Sequence, residues 1–285
     1  MSGLPEGLRA IVLGDDPALA DARERFFREA AGDVTDDAEG RILARDVMAL
    51  MGQREAAFIL RRITQMRVSA TSRARAEGGP VTLRHDARPG DVYEIRRRQP
   101  YARFFAVEEY DLTFRRFDGS HSDPVNRAVF ISGDAVTVLP YDSVRDRVLL
   151  IEQFRAGPWG RDDPQPWLLE AIAGRIDAGE IPEESARREA KEEAGLDLDA
   201  LEMVGAYYAS PGAKSEFVYS YVALTDLPDG IAGIFGEEGE AEDIRGHLVS
   251  FDRLMKLMAS GEISNAPLLL SVLWLQRERE RLRAG

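Results

Sequence analysis

The sequence predicts an α/β protein in which a mixed β-sheet flanked by helices follows a mainly helical N-terminal extension. Three observations carry this expectation. Apolar residues recur at helical spacing through 18–31 and 43–66. From residue 92 the texture changes to short runs of Val, Ile and aromatic residues, bounded by Gly, Pro, Asp and Ser. Among these runs sits one polar helix, Pro182 to Ala194, punctuated at both ends.

In order along the chain, Asp16-Pro17 forms a helix start before Ala18 to Ala31, and Leu43 to Met66 continues the helical pattern. Two breaker clusters, Glu77-Gly78-Gly79-Pro80 and Arg88-Pro89-Gly90-Asp91, set a boundary at residue 90, separating a helical extension (1–90) from the main domain (91–285). Val92 to Ile95, Phe104 to Phe117 and Ala128 to Ile131 read as strands, with a turn at Phe117-Asp118-Gly119-Ser120. Ala135 to Leu139 and Val148 to Gln153 are two more, joined by Asp142-Ser143-Val144-Arg145-Asp146, and Trp167 to Ala173 is another. The helix from Pro182 has proline at its first position, where the missing N–H costs nothing, and Gly195 where a left-handed residue ends it. Met203 to Ala209, Phe217 to Leu224 and Ile244 to Phe251 read as strands, and Asp252 to Ala259 and Leu268 to Arg283 as helices.

Composition narrows the function classes. Lys and Arg number 37 against 50 Asp and Glu, a net charge of −13, with 44% hydrophobic residues. That balance argues against a general nucleic-acid binder, which neutralises phosphates with excess base. Anionic substrates stay open, because divalent cations can bridge carboxylates and phosphates. With no cysteine and three scattered histidines (His85, His121, His247), the chain has no disulfide, thiolate zinc site or histidine-rich metal cage. The longest near-apolar run, Ala266 to Leu275, is about half of a bilayer span, and the N-terminus lacks a basic, apolar leader. The expectation is a soluble cytoplasmic protein with no membrane or nucleic-acid partner.

The chemistry concentrates in Gly174 to Leu196, which reads GRIDAGEIPEESARREAKEEAGL. Glu189 and Glu193 are four apart and share one helical face, with Glu192 beside them. Carboxylates gathered at one helix end offer hard oxygen ligands suited to Mg²⁺ or Mn²⁺, and Arg188 can hold one of them in place. Taken alone, such a run reads more readily as a solvated charged face than as a metal site. The wider spacing is more specific: Gly, five residues, Glu, seven residues, then Arg-Glu-apolar-x-Glu-Glu-x-Gly-apolar. Gly174, Glu180, Arg188, Glu189, Glu192, Glu193 and Gly195, with Ala190 and Leu196 in the apolar slots, match the Nudix box at every fixed position.

The chain therefore resembles a Nudix hydrolase, and the resemblance implies an α/β/α sandwich and metal-dependent hydrolysis of a nucleoside diphosphate linked to another moiety. Val148 to Arg155, Trp167 to Gly174, Ser210-Pro211-Gly212-Ala-Lys-Ser-Glu216 and the acidic loop Glu237 to Arg245 are similar to the ADP-ribose pyrophosphatase branch. Pro211 stands 15 residues beyond Leu196, where that branch carries a marker proline. The resemblance runs from about residue 92 to 280 and leaves the first 90 residues uncovered.

Carried over position by position, the resemblance implies metal ligation by Glu189, Glu193, Glu242 and the backbone carbonyl of Ala173. It implies catalytic roles for Glu240, as activator of water, and for Glu192 and Arg188. Arg127, Arg155 and Glu216 would contact substrate, and Phe104 would stack on the adenine, commonly from a partner subunit, since N-terminal strands are exchanged across a homodimer. Read without the family, Arg127 and Arg155 are as well explained as outward charges, Phe104 as core, and Glu237 to Glu242 as a solvated loop.

The implied reaction converts ADP-ribose to AMP and ribose 5-phosphate with Mg²⁺, or Mn²⁺ in its place. One alternative keeps the chemistry and changes the substrate to GDP-mannose or another NDP-sugar. Another is a non-catalytic ADP-ribose sensor. Such proteins tend to lose box carboxylates and add a DNA-binding winged helix, whereas here every box carboxylate is present and the tail Gln276 to Arg283 is too short for such a module.

Overall fold

The structure, a computed structural model, describes residues 3–76, 78–198, 200–236 and 243–284. The chain divides into two compact units, Met1–Gly133 with Ser210–Ser215, and Asp134–Ala209 with Glu216–Gly285.

In the first unit the described residues form helices α1 (Glu6–Leu13), α2 (Ala20–Ala31), α3 (Ala38–Ala49), α4 (Ala56–Leu60) and α5 (Ile63–Arg75). Leu8, Phe27, Leu43, Val47 and Ile59 point into their shared apolar core. The Asp37 carboxylate caps α3 by accepting from the Gly40 amide at 2.7 Å. The continuous pattern over Leu43 to Met66 resolves into parts of three helices. Gly52, at φ 78°, turns the chain where a helical residue would need a negative φ. A three-stranded antiparallel sheet follows, β1 (Val92–Ala102), β2 (Ala106–Phe114) and β3 (Val125–Ile131). Phe104, read from sequence as the start of a strand, lies instead in the turn between β1 and β2.

The sequence puts a boundary at residue 90, whereas the compact units divide after Gly133. Ion pairs and the packing of Phe58 with Ala102, Ala106 and Ile131 both cross residue 90. Arg73 on α5 bridges Asp46 on α3 (2.6 Å) and buried Glu108 on β2 (3.1 Å), while Arg97 on β1 reaches the same Asp46 at 3.1 Å. The small sheet is thereby tied to the helices.

The second unit contains β4 (Ala135–Asp142), β5 (Arg147–Phe154), α6 (Ala156–Gly160), β6 (Trp167–Glu170), β7 (Ile172–Arg175), α7 (Pro182–Ala194), β8 (Ala200–Tyr208), β9 (Phe217–Leu224), β10 (Ile234–Phe235), β11 (Ile244–Ser250), α8 (Phe251–Ser260) and α9 (Ala266–Ala284). Its sheet runs β10-β11-β5-β4-β9-β8, with β6 on β5 and β7 on β4. The β4–β9 pair is parallel and the others antiparallel, so the sheet is mixed. Trp167 to Ala173, one apolar run in sequence, breaks at Ala171 into two strands with different neighbours.

Strand alternation makes the sandwich. Val136, Val138, Leu149 and Ile151 pack with Ala186, Ala190 and Ala194 of α7 on one face. Leu139, Tyr141, Val148 and Leu150 pack with α8 and α9 on the other. The result is an α/β/α sandwich. Among the described residues no helix is long and apolar enough to cross a membrane.

A half-buried ionic latch fastens α9 to the β4–β5 turn. Asp146 sits at φ 55°, and its carboxylate accepts from the Tyr141 hydroxyl (2.8 Å) and from Arg279 (2.9 Å through Nε), with Arg283 at 2.7 Å. These partners, Arg279 foremost, hold its carboxyl down to about 2 from the usual 3.8. A carboxyl with a lowered native pKa stabilises the fold above its unfolded pKa and loses that contribution as the pH falls toward the native value. Asp146→Asn keeps the backbone tolerance for positive φ. It should cost about 2 kcal/mol, or about 4–8 °C in Tm, at neutral pH. In thermal scans the gap to wild type should close as the pH drops from 3.8 toward about 2.

Candidate active site

α7 is set by local sequence. Pro182 occupies its first position, the Glu184 carboxylate reaches back to the Ile181 amide (3.4 Å), and Gly195 ends it at φ 65°, ψ 16°. Its inward face is Ser185, Ala186, Ala190, Glu193 and Ala194, so small residues bring the helix close to the sheet and one carboxylate goes in with them.

Glu193 is 2% exposed and accepts a hydrogen bond from the Ala173 amide on β7 at 3.0 Å. A solvated-face reading does not fit this position. Glu189 lies one turn earlier against Gly174, where an added Cβ would collide with its carboxylate. The box glycine is therefore a seat for Glu189.

Arg188 organises the remainder. It grips Glu180 with two N–H groups (2.9 and 3.1 Å) and donates to Glu189 (2.7 Å), to Glu192 (2.9 Å) and to the Arg175 carbonyl (3.1 Å). Glu180 also accepts from the Ser185 hydroxyl (2.5 Å) and the Asp177 amide (3.2 Å). Hydrogen bonding from Arg188, opposed by burial, holds the Glu180 carboxyl down to about 2, and the same contacts raise the Arg188 pKa. One guanidinium thus compensates three carboxylates that would otherwise repel.

Arg155 follows β5 and is no bare surface charge. Its Nε donates to buried Glu170 at 2.8 Å and its terminal nitrogen lies 2.7 Å from the same carboxylate, whose other oxygen accepts from Asn265. Sequence alone does not mark Glu170 as a site residue. Its signal is a carboxylate closing the apolar run Trp167-Leu168-Leu169. Glu216 is half-buried just ahead of β9. Arg127 and Phe104 belong to the other compact unit. There Arg127 is exposed and donates to the Asn126 carbonyl (2.8 Å). Phe104 is 56% exposed, with its ring edge-on to Phe105. Glu240 and Glu242 lie outside the described residues.

Among the described residues no three His, Asp or Glu side chains group as a ready-made metal site. Arg188 stands between the box carboxylates, and Glu237 to Glu242 of the acidic loop fall outside those residues. The donor set fits a hard divalent cation all the same: two carboxylates on one helical face, one seated on a glycine and one against the β7 backbone. A cavity of about 480 Å³, lined by Glu152, Trp167, His247 and Arg253, opens on the α8 side of the sheet, the face opposite α7.

With this geometry in place, comparison with known proteins defines the class. The NUDIX domain family matches residues 132–270. The chain is 40% identical to an ADP-ribose pyrophosphatase of Escherichia coli over 193 residues, which cover 68% of this chain and 91% of that one. It is 33% identical to an ADP-ribose pyrophosphatase of Haemophilus influenzae over 195 residues, 68% and 89% of the two chains. It is 32% identical to a GDP-mannose pyrophosphatase of Salmonella paratyphi B over 167 residues, 59% and 84%. A solved structure described as an ADP compounds hydrolase superposes with a TM-score of 0.53 at 22% identity, covering 68% of this chain and 97% of that one, a likeness of fold. The chain belongs to the Nudix family of hydrolases.

Two substitutions test the carboxylate cradle. Gly174→Ala should push Glu189 out of its seat and cut hydrolysis at least about tenfold while far-UV circular dichroism stays native. Glu193→Gln keeps an acceptor for the Ala173 amide and removes a buried charge. Its Tm without divalent metal should equal or exceed that of wild type, while turnover falls by about two orders of magnitude or more. If Glu193→Gln keeps above about a tenth of wild-type activity, this assignment is contradicted.

Proposed function

We propose that this chain hydrolyses the diphosphate of ADP-ribose to AMP and ribose 5-phosphate, using Mg²⁺ or, in its place, Mn²⁺. Two relatives called ADP-ribose pyrophosphatase, matched over about nine tenths of their length, support the substrate. The observation that carries the chemistry is Glu193, a carboxylate 2% exposed on a helix that presents Glu189 beside it. Burying a charge is costly unless it is paired or binds a metal, so a function accounts for its place better than stability does.

In this reading Glu189, Glu193, Glu242 and the Ala173 carbonyl hold the cation. When bound, it neutralises diphosphate oxygens and lowers the pKa of an attacking water. Glu240 takes the proton from that water. Arg188 keeps Glu189 and Glu192 aimed and separates them, and Glu192 adds a further oxygen at the edge of the site. Arg155, braced by Glu170, presents its guanidinium to a phosphate or ribose oxygen, and a braced fork loses little freedom on binding. Glu216 and Arg127 contact the substrate and Phe104 stacks on the base.

The proposal includes a homodimer with exchanged N-terminal strands. Val92, Tyr93 and Ile95 of β1 are all more than half exposed, which suits strands that pack on a second copy. It keeps residues 1–90 as an extension and 91–285 as the Nudix domain. It also places the enzyme in the cytoplasm, since a chain without cysteine needs no oxidising compartment.

The GDP-mannose pyrophosphatase relative favours a second reading with the same chemistry and another base and sugar. Phosphatase-coupled phosphate release across ADP-ribose, GDP-mannose, NADH and diadenosine polyphosphates separates the two. ADP-ribose should lead in kcat/KM by about tenfold or more, a margin of ~1.4 kcal/mol between the two whole substrates. A lead for GDP-mannose would replace the first reading with the second.

A further inference from the structure

In the first unit a buried arginine between two helices braces the turn that carries Phe104. Arg62 joins α4 to α5 and is 8% exposed, deep burial for an arginine. Its Nε donates to the Arg103 carbonyl at 2.8 Å, and a terminal nitrogen donates to the Gln99 side chain at 3.0 Å. Arg103 opens the turn between β1 and β2, which the Arg103 amide closes on the Phe105 carbonyl (2.8 Å). Both bonds from Arg62 therefore land on β1 or on the turn that holds Phe104.

The surroundings stiffen the same point. Arg54 donates to the Gln99 carbonyl (3.3 Å), and the Gln99 side-chain amide donates to Glu108 (3.2 Å), itself held by Arg73. Phe58 of α4 packs with Ala102, Ala106 and Ile131 beneath the turn. Above this base three rings step outward. Phe130 is tilted against Phe105 at 4.9 Å, Phe105 is edge-on to Phe104 at 4.8 Å, and Phe104 ends the series 56% exposed. An exposed aromatic ring on a braced turn is a surface on which a flat base can stack.

We propose that Arg62 is a positioning residue for the base end of the substrate: it fixes the Arg103–Phe105 turn so that Phe104 offers its ring to adenine. The inference rests on the ADP-ribose reading and on the place of Phe104 in it. It gives the helices, outside the resemblance to the family, a part in substrate affinity. Because Arg62 acts by removing the ordering cost of the turn, its loss should weaken binding of the base and leave the chemical step alone.

Arg62→Met keeps the aliphatic stem and removes the guanidinium. In the full chain, KM for ADP-ribose and the inhibition constant of AMP should rise together by about five- to tenfold. The value of kcat should stay within roughly twofold, and inhibition by ribose 5-phosphate, which has no base, should be unchanged. Arg62→Lys, which can still donate to the Arg103 carbonyl, should recover part of the loss. Phe104→Ala should show the same split, and the double variant should be no worse than Phe104→Ala alone. Equal weakening of AMP and ribose 5-phosphate, or additive losses in the double variant, would overturn the inference. If Phe104→Ala weakens AMP and Arg62→Met does not, the inference alone falls. If Phe104→Ala leaves AMP inhibition intact, the stacking role falls and the inference with it. Should Arg62→Met fail to fold, Gln99→Met, which removes one of the two acceptors, decides by the same comparison.

Discussion

The second unit is organised around the placement of carboxylates where water is scarce. Glu193 is turned inward on α7 among Ala186, Ala190 and Ala194, and it reaches the sheet because those neighbours are small. A negative charge in that position destabilises the fold unless it is compensated, and Glu189, Glu192 and Glu180 gather close by. Arg188 answers the outer three with one guanidinium, and the Ala173 amide answers Glu193. A planar guanidinium is rigid and stays charged, so it holds the ionised carboxylates in a fixed geometry. The outcome is a helix whose acidic face is held in register before any ligand arrives. Catalysis that works by electrostatic stabilisation depends on such preorganisation.

Much of this was legible in the residues. Pro182 and Gly195 bound α7 as their backbone preferences require, and the box spacing identified Gly174, Glu189 and Glu193 together. The sequence did not reveal which face of that helix is buried, since the run REAKEEAG looks soluble throughout. Burial of Glu193 follows from the sheet that packs on it, a tertiary property. The Arg155–Glu170 brace was hidden for the same reason, because its partners sit on different strands brought together by the β5–β6 register.

The N-terminal region shows the opposite limit. Helical periodicity over 43–66 was real, but it blurred three helices into one span, because apolar spacing persists through the turns around Gly52 and Arg62. The breaker clusters near residue 90 mark the change from helix to strand. Compactness follows long-range contacts instead: the ion pairs among Arg73, Arg97, Asp46 and Glu108, and Phe58 packed with Ala102, Ala106 and Ile131, join the helices to the small sheet in a unit that runs to Gly133. Sequence separation says little about such pairs. Arg62 belongs to the same class, a charged residue in a helical stretch whose meaning lies in the turn it meets.

The central claim is that the acidic face of α7 exists to grip divalent cations. Crystals of the wild-type protein soaked in Mn²⁺ and measured for anomalous scattering address it most directly. The account predicts an anomalous peak in contact with the Glu189 and Glu193 carboxylates. Strong manganese peaks elsewhere on the protein, with none beside that pair, would contradict it.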